Sequence, residues 1–120
     1  MRTLLFYRQK NNHCPIQEFL NSLTSKQAQK VTWVLKLVEE LELVPQTYFK
    51  KLVNTHDLWE VRVQSGNDTF RLLGFLDKGN FVVLTNGFQK KTQKTLQSEI
   101  NLAESRKRDY LQRKYENNHE

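Results

Sequence analysis

The spacing of apolar residues changes period twice along the chain, and the changes divide it into helical ends around an extended middle. Residues 3–8, rich in Leu, Phe and Tyr, read as a short first strand. Asn11-Asn12-His13 follows as a turn. Pro15 then suits the first turn of a helix, where its missing N–H leaves no bond unmade. Ile16, Phe19, Leu20 and Leu23 recur at i, i+3, i+4 and i+7, which is one helical face. Thr24-Ser25-Lys26-Gln27 has the form of a capping box, Thr with Gln three residues on, and predicts the start of a second helix. Ala28, Val31, Val34, Leu35, Val38 and Leu41 make its apolar stripe. Pro45 opens a loop that reaches to about Asp57. Glu39, Glu40 and Glu42 stand near the C-terminal end of the second helix, where negative charge opposes the helix dipole. The sequence leaves them as exposed surface or as facing a basic partner.

In the middle the period falls to two. Trp59, Val61 and Val63 share one face of a strand, and Leu58, Glu60, Arg62 and Gln64 share the other. Ser65-Gly66-Asn67-Asp68 is a turn. Thr69 to Leu76 alternates again, with Arg71, Leu73 and Phe75 on one side. Asp77-Lys78-Gly79-Asn80 is a second tight turn. Phe81 to Phe88 is apolar almost throughout, the mark of an interior strand. A basic stretch, Gln89 to Thr95, leads to a last helix from about Leu96 to Tyr115. Leu96, Ile100, Ala103, Tyr110 and Leu111 form its stripe, which Lys107 interrupts. The order β-α-α-β-β-β-α predicts an α+β fold, a small antiparallel sheet with helices packed on one side of it.

Size and composition narrow the class. The chain has 120 residues, 38% of them hydrophobic, which suits one domain with a modest core. The domain is drawn at residues 1–112, with a flexible C-terminal tail over 113–120. No apolar run approaches the roughly 20 residues of a membrane span, and the first residues are too little apolar for a signal peptide. Cys14 is the single cysteine, so no internal disulfide is possible, and a cytoplasmic setting is expected. His13, His56 and His119 lie far apart, and neither a metal nor a cofactor is expected. The formal net charge is +6, and residues 89–114 hold eight basic and three acidic groups. A basic surface of this kind suits a polyanion, nucleic acid first.

The period-two pattern also places chemistry. If the Ser65–Asp68 turn joins two neighbouring strands, Arg62 falls roughly opposite Arg71, and both share one sheet face with Glu60. Two guanidinium groups on one face repel unless an anion lies between them, and Glu60 can supply it. Lys90 and Lys91 follow the strand beside that of Arg71. Such a cationic concavity suits phosphate. RNA cleavage through the 2′-OH asks a protein mainly to stabilise the phosphorane, for which Arg and Lys suffice. It also needs a proton acceptor and donor, and no His is well placed. Glu60 and a lysine with a lowered pKa are the candidates.

Several of these segments resemble a known family. Leu58-Trp59-Glu60-Val61-Arg62-Val63, Phe70-Arg71-Leu72-Leu73, Leu84 to Thr95 with its Lys90-Lys91-Thr92-Gln93-Lys94-Thr95 core, Glu99-Ile100 with Ala103, and the opening Pro15-Ile16 with Glu18-Phe19-Leu20 are similar to the HigB-type branch of the RelE/ParE toxin superfamily. The resemblance runs from about residue 3 to 111. It implies the toxin of a type II toxin–antitoxin pair, a metal-independent endoribonuclease that cuts mRNA on the ribosome. It also implies a cognate antitoxin, commonly a helix-turn-helix protein. Carried over, it sets Arg71 at the scissile phosphate and Arg62 at positioning or transition-state charge. Lys90 and Lys91 take phosphate binding or leaving-group stabilisation, and Thr92, Gln93 and Lys94 take RNA binding. Glu60 stands where some relatives of the wider superfamily carry Lys, so the general base stays open.

Two other readings fit the same scaffold. One is a ParE-like toxin that binds DNA gyrase and cuts nothing. The other is a passive RNA-binding domain, whose binding would be salt-sensitive.

Overall fold

The computed structural model describes residues 1–92 and 95–118. The elements run β1 (Thr3–Phe6), α1 (Pro15–Asn21), α2 (Ser25–Glu40), β2 (Phe49–Lys51), β3 (Leu58–Ser65), β4 (Asp68–Asp77), β5 (Phe81–Gln89) and α3 (Gln97–Asn118). The α+β class is as expected. The sheet differs from the expectation in two ways. It has five strands in the order β1-β5-β4-β3-β2, and it is mixed, because β1 pairs parallel to β5 while the other pairs are antiparallel.

The extra strand, β2, lies inside the segment read as a loop. Three residues are too few for a period to show, and only the pairing of Phe49 with Val61 and Lys51 with Trp59 reveals it. Phe49 stacks on Trp59 with ring centroids 4.7 Å apart, which fastens this short edge strand to the core.

The helices do not share one side of the sheet. Helices α1 and α2 cover the face of Val61, Val63, Phe70, Leu72, Val82 and Leu84. Helix α3 covers the other, packing Ala103, Ile100 and Tyr110 against Leu58, Leu73, Phe75 and Val83. The reason is visible in β4 and β5. Phe70 and Leu72 are apolar on one face, Leu73 and Phe75 on the other, so both faces must be covered to keep them from water.

Local signals hold at each element. Pro15 occupies the first turn of α1. The capping box of α2 is complete: the Gln27 N–H donates to the Thr24 hydroxyl at 3.2 Å, and the Thr24 N–H to the Gln27 side-chain oxygen at 3.0 Å. At the other end of α2, Arg2 binds the helix backbone rather than the glutamate carboxylates. Its guanidinium donates to the carbonyls of Val38, Leu41 and Glu42, and its N–H to that of Glu39. A cation thus closes the helix at the pole where cations are favoured. Helix α3 continues to Asn118, so residues 113–118, read as tail, are helical. Lys107, which breaks the apolar stripe, lies 5.5 Å above the Phe75 ring and donates to the His56 carbonyl.

A register shift between Leu73 and Gly74 puts one extra residue, Thr85, into β5. Above this bulge the residues of β5 change face. Asn86 and Phe88 therefore turn toward α3, and Gly87 turns toward Phe19.

Candidate functional site

The β3–β4 ladder sets the centre of the site. Its register pairs Ser65 with Asp68, and counting back along both strands pairs Arg62 with Arg71. The expected opposition of the two arginines is met. Cross-strand partners share a face, here the α3 face, at the end of the sheet that α3 leaves uncovered. Glu60, two residues before Arg62, lies on the same face and is 4% exposed.

Glu60 separates the two positive charges. Its Oε1 lies 3.5 Å from Arg62 Nε and 3.4 Å from Arg71 Nε, while its Oε2 accepts a 2.6 Å hydrogen bond from the Thr95 hydroxyl. Both carboxylate oxygens are thus engaged. Among the described residues, each arginine Nε–H faces Glu60 as an ion pair without forming a well-directed hydrogen bond. Arg71 also donates from Nη1 to its neighbouring carbonyl at Phe70, and Arg62 from Nη1 to Gln46 at 3.4 Å. Arg71 is 6% exposed. Burial lowers its affinity for the proton, Glu60 restores part of it, and Arg62 lowers it again. A guanidinium stays charged through such shifts. The site therefore holds a fixed, largely dehydrated positive charge with unmet hydrogen-bonding capacity.

Lys90 completes the group. Strand β5 ends at Gln89, and the Lys90 N–H donates to the Thr69 carbonyl at 2.7 Å, which ties the departing chain to the start of β4. The ammonium is half-buried. Its pKa lies below the usual lysine value of 10.5, first because of burial and then because of Arg71, with Arg62 and Lys50 adding to the effect and Glu60 opposing it. Arg62, Thr69, Arg71, Lys90, Lys91 and Thr92 line one open depression of about 500 Å³. Lys91 and Thr92 are exposed at its rim. Of the RNA-binding candidates, Gln93 and Lys94 lie outside the described residues.

Two participants were not singled out from sequence. Lys50 sits directly opposite Glu60 in the β2–β3 ladder, and its charge acts on Lys90. No period in the sequence marks it, because β2 is only three residues long. Thr95 was quoted only as part of a motif, and nothing in the sequence pairs it with Glu60, 35 positions away. Among the described residues no group of three or more His, Cys, Asp or Glu side chains is placed to hold a metal ion. No described helix is long and apolar enough to cross a membrane.

In chemical terms the arrangement can seat a phosphodiester oxygen on two guanidinium groups and offer it a lysine whose proton is held less tightly than usual. No curated protein is similar enough to the chain to count as a match. The model of the phage-derived Gp49-like protein family (DUF891), by contrast, matches residues 18–108, a span that contains every residue of this site. The chain belongs to the Gp49-like family of phage-derived proteins.

Proposed function

We propose that this protein is the toxin of a type II toxin–antitoxin pair, of the HigB kind, and that it blocks translation by cutting mRNA on the ribosome. The observation that carries the reading is the Arg62–Arg71 pair held over Glu60, with two Nε–H groups unsatisfied and Lys90 beside them. Membership in a phage-derived, toxin-like family supports it. A surface built only for solubility would not pack two guanidinium groups, one of them buried, against a single carboxylate, which leaves one positive charge unbalanced.

The chemistry is a transesterification. The 2′-oxygen bonds to phosphorus, the bond from phosphorus to the 5′-oxygen breaks, and a 2′,3′-cyclic phosphate and a 5′-hydroxyl result. Arg71 and Arg62 hold the non-bridging oxygens as negative charge builds on them, a contribution that needs no reorganisation because Glu60 and the sheet already fix both groups. Glu60 orients the arginines. Both of its oxygens are engaged, so Lys90 is the better group for proton transfer. In its charged form, with a proton held less tightly than usual, Lys90 protonates the departing 5′-oxygen, and the 2′-OH proton passes to solvent water. Lys91 and Thr92 extend the phosphate contact at the rim. The partner that restrains the toxin is a cognate antitoxin, a helix-turn-helix protein in this reading.

The test is induced expression of the wild type against Arg71→Ala, scoring growth arrest and primer-extension stops in a translated reporter mRNA. Circular dichroism checks that the variant folds, and Arg62→Ala, at a half-exposed position, is the second variant. Translation-dependent cuts that vanish in the folded variants are expected. Arrest without cuts would overturn the nuclease reading and point to a protein target such as gyrase. RNA binding without cuts or arrest would point to a passive binding domain.

A further inference from the structure

The basic surface does not stop at Arg62. Past Arg62 a second depression of about 500 Å³ opens at the edge of β3, and Arg62 and Arg71 belong to its lining as well as to that of the first. Topology explains it. Strand β2 pairs with β3 only from Trp59 to Val61, so the edge of β3 beyond Arg62 has no strand beside it. The preceding segment is held there by Arg62 itself, whose N–H donates to the Tyr48 carbonyl and whose guanidinium donates to that of Gln46. Helix α2 closes the far wall with Lys30.

Lys30 and Trp33, three positions on along α2, make an aromatic corner. The Lys30 ammonium lies 4.6 Å from the centroid of the Trp33 ring. Trp33 meets Tyr48 edge to face at 5.8 Å and 86°. Trp33 is 46% exposed, whereas the other tryptophan, Trp59, is half-buried against Phe49. Lys30 and Gln64 also line a third depression with Lys26. The three hollows thus share walls, at Arg62 with Arg71 and again at Lys30 with Gln64. The acidic groups along the way are both occupied: Glu60 lies between the guanidiniums, and the two oxygens of Asp68 accept from Gln27 and Gln89.

A basic groove interrupted by an aromatic platform is the arrangement that binds single-stranded nucleic acid, because every base has a face to stack and every nucleotide a phosphate to neutralise. A duplex keeps its bases stacked on one another and cannot use the platform. We propose that the RNA strand continues from the Arg62–Arg71 pair through this edge cleft, with one base on Tyr48 beside Trp33 and a phosphate at Lys30. The proposal rests on the nuclease reading and adds to it the path of the strand and the groups that hold it beyond the cut.

The test uses a short 2′-O-methyl single-stranded RNA, which cannot be cut, at low salt. In a Trp59→Phe background Trp33 is the one fluorophore of its kind, and its emission reports on the cleft. Quenching on binding is expected, together with a roughly tenfold loss of affinity in Tyr48→Ala, the size of one lost base stack. Lys30→Glu should bind comparably less well and with a shallower salt dependence. The same RNA as a duplex should bind more weakly and quench less. Unchanged binding in the folded Tyr48 and Lys30 variants, with loss in Arg71→Ala, would overturn the cleft and leave the nuclease reading standing. Indifference to the Arg71 substitution would overturn both.

Discussion

Lys90 and Glu60 divide between them the two tasks that the sequence left joined. Glu60 is buried and shared by three neighbours, so its removal acts through the arginines it orients. Lys90 is half-buried, carries a pKa displaced downward by burial and by Arg71, and borders the open depression. If it transfers the proton, Lys90→Arg keeps the charge and loses the transfer. The cleavage rate should then fall by about 10²–10⁴ while RNA affinity changes little. The pH profile supplies the second readout. In the wild type the limb that Lys90 controls should lie below pH 10.5, and it should be absent in Lys90→Arg. Equal losses in rate and affinity would make Lys90 a phosphate contact instead.

At the scale of elements, the bulge in β5 and the docking of α3 decide whether the site is assembled. Gly74 sits opposite the bulge, and a Cβ there would stand 2.2 Å from the Val83 carbonyl oxygen. Backbone cannot give way as a side chain can. We expect Gly74→Ala to cost about 3 kcal/mol, the upper end of overpacking penalties, and to lower Tm by about 10 °C, measured by thermal unfolding. A Cβ at Gly87 would first meet the Phe19 ring, a side chain that can shift, so Gly87→Ala should be the milder of the two. Helix α3 is held by Tyr7, which donates to Asp109, with Arg113 pairing to the same carboxylate, and by Tyr110 and Lys114 on Asp77.

The pH dependence of that docking has two signs. The Tyr7 hydrogen bond first, and then Arg113, holds Asp109 below its ordinary 3.8, so its contribution is present above that pH and fades as pH falls through the lowered value. Burial first, and then Asp109, raises Tyr7 above 10.0. Its contribution is full below pH 10 and fades as pH rises through the raised value. Burial first, and then Asp77, raises Tyr110 in the same way. Hydrogen exchange should therefore find α3 released at both extremes, and Tyr7→Phe should weaken the alkaline limb, which only the double substitution with Tyr110→Phe removes.

Most of these elements were legible because their signals are local. The capping box, the Pro at the head of α1 and the alternation in β3 each lie within a few residues, and the short turn between β3 and β4 carried the Arg62–Arg71 register with it. What was not legible is long-range. The parallel pairing of β1 with β5, the three-residue β2, the placement of α3 on the opposite face and the contact of Thr95 with Glu60 all join distant segments. No period or motif records which of several apolar faces will meet. The Arg2 clamp on α2 is of the same kind, a contact across 36 to 40 positions.

For the whole molecule, the sheet works as a divider. One face is given to α1 and α2 and to the larger core. The other is shared between α3 and the charged site, because α3 covers only the part lined by Leu58, Leu73, Phe75 and Val83. The positive charge gathers where this second face is left open and runs around the edge of β3 toward α2. A polyanion approaching from solvent meets this side first, and association should slow as salt rises.

The parallel pairing of β1 with β5 fixes an order of events. During synthesis the first strand emerges without its neighbour, since Thr3 to Phe6 can pair only when Phe81 to Leu84 have been made. The hairpin that carries Arg62 and Arg71 closes across two residues and can form much earlier. Lys90, however, takes its place only after β5 has been inserted between the hairpin and the waiting first strand. The arginines are thus ready before the lysine. On the nuclease reading, a chain still short of its fifth strand would hold the arginine pair without the lysine, and the complete site would appear only once β5 has joined the sheet.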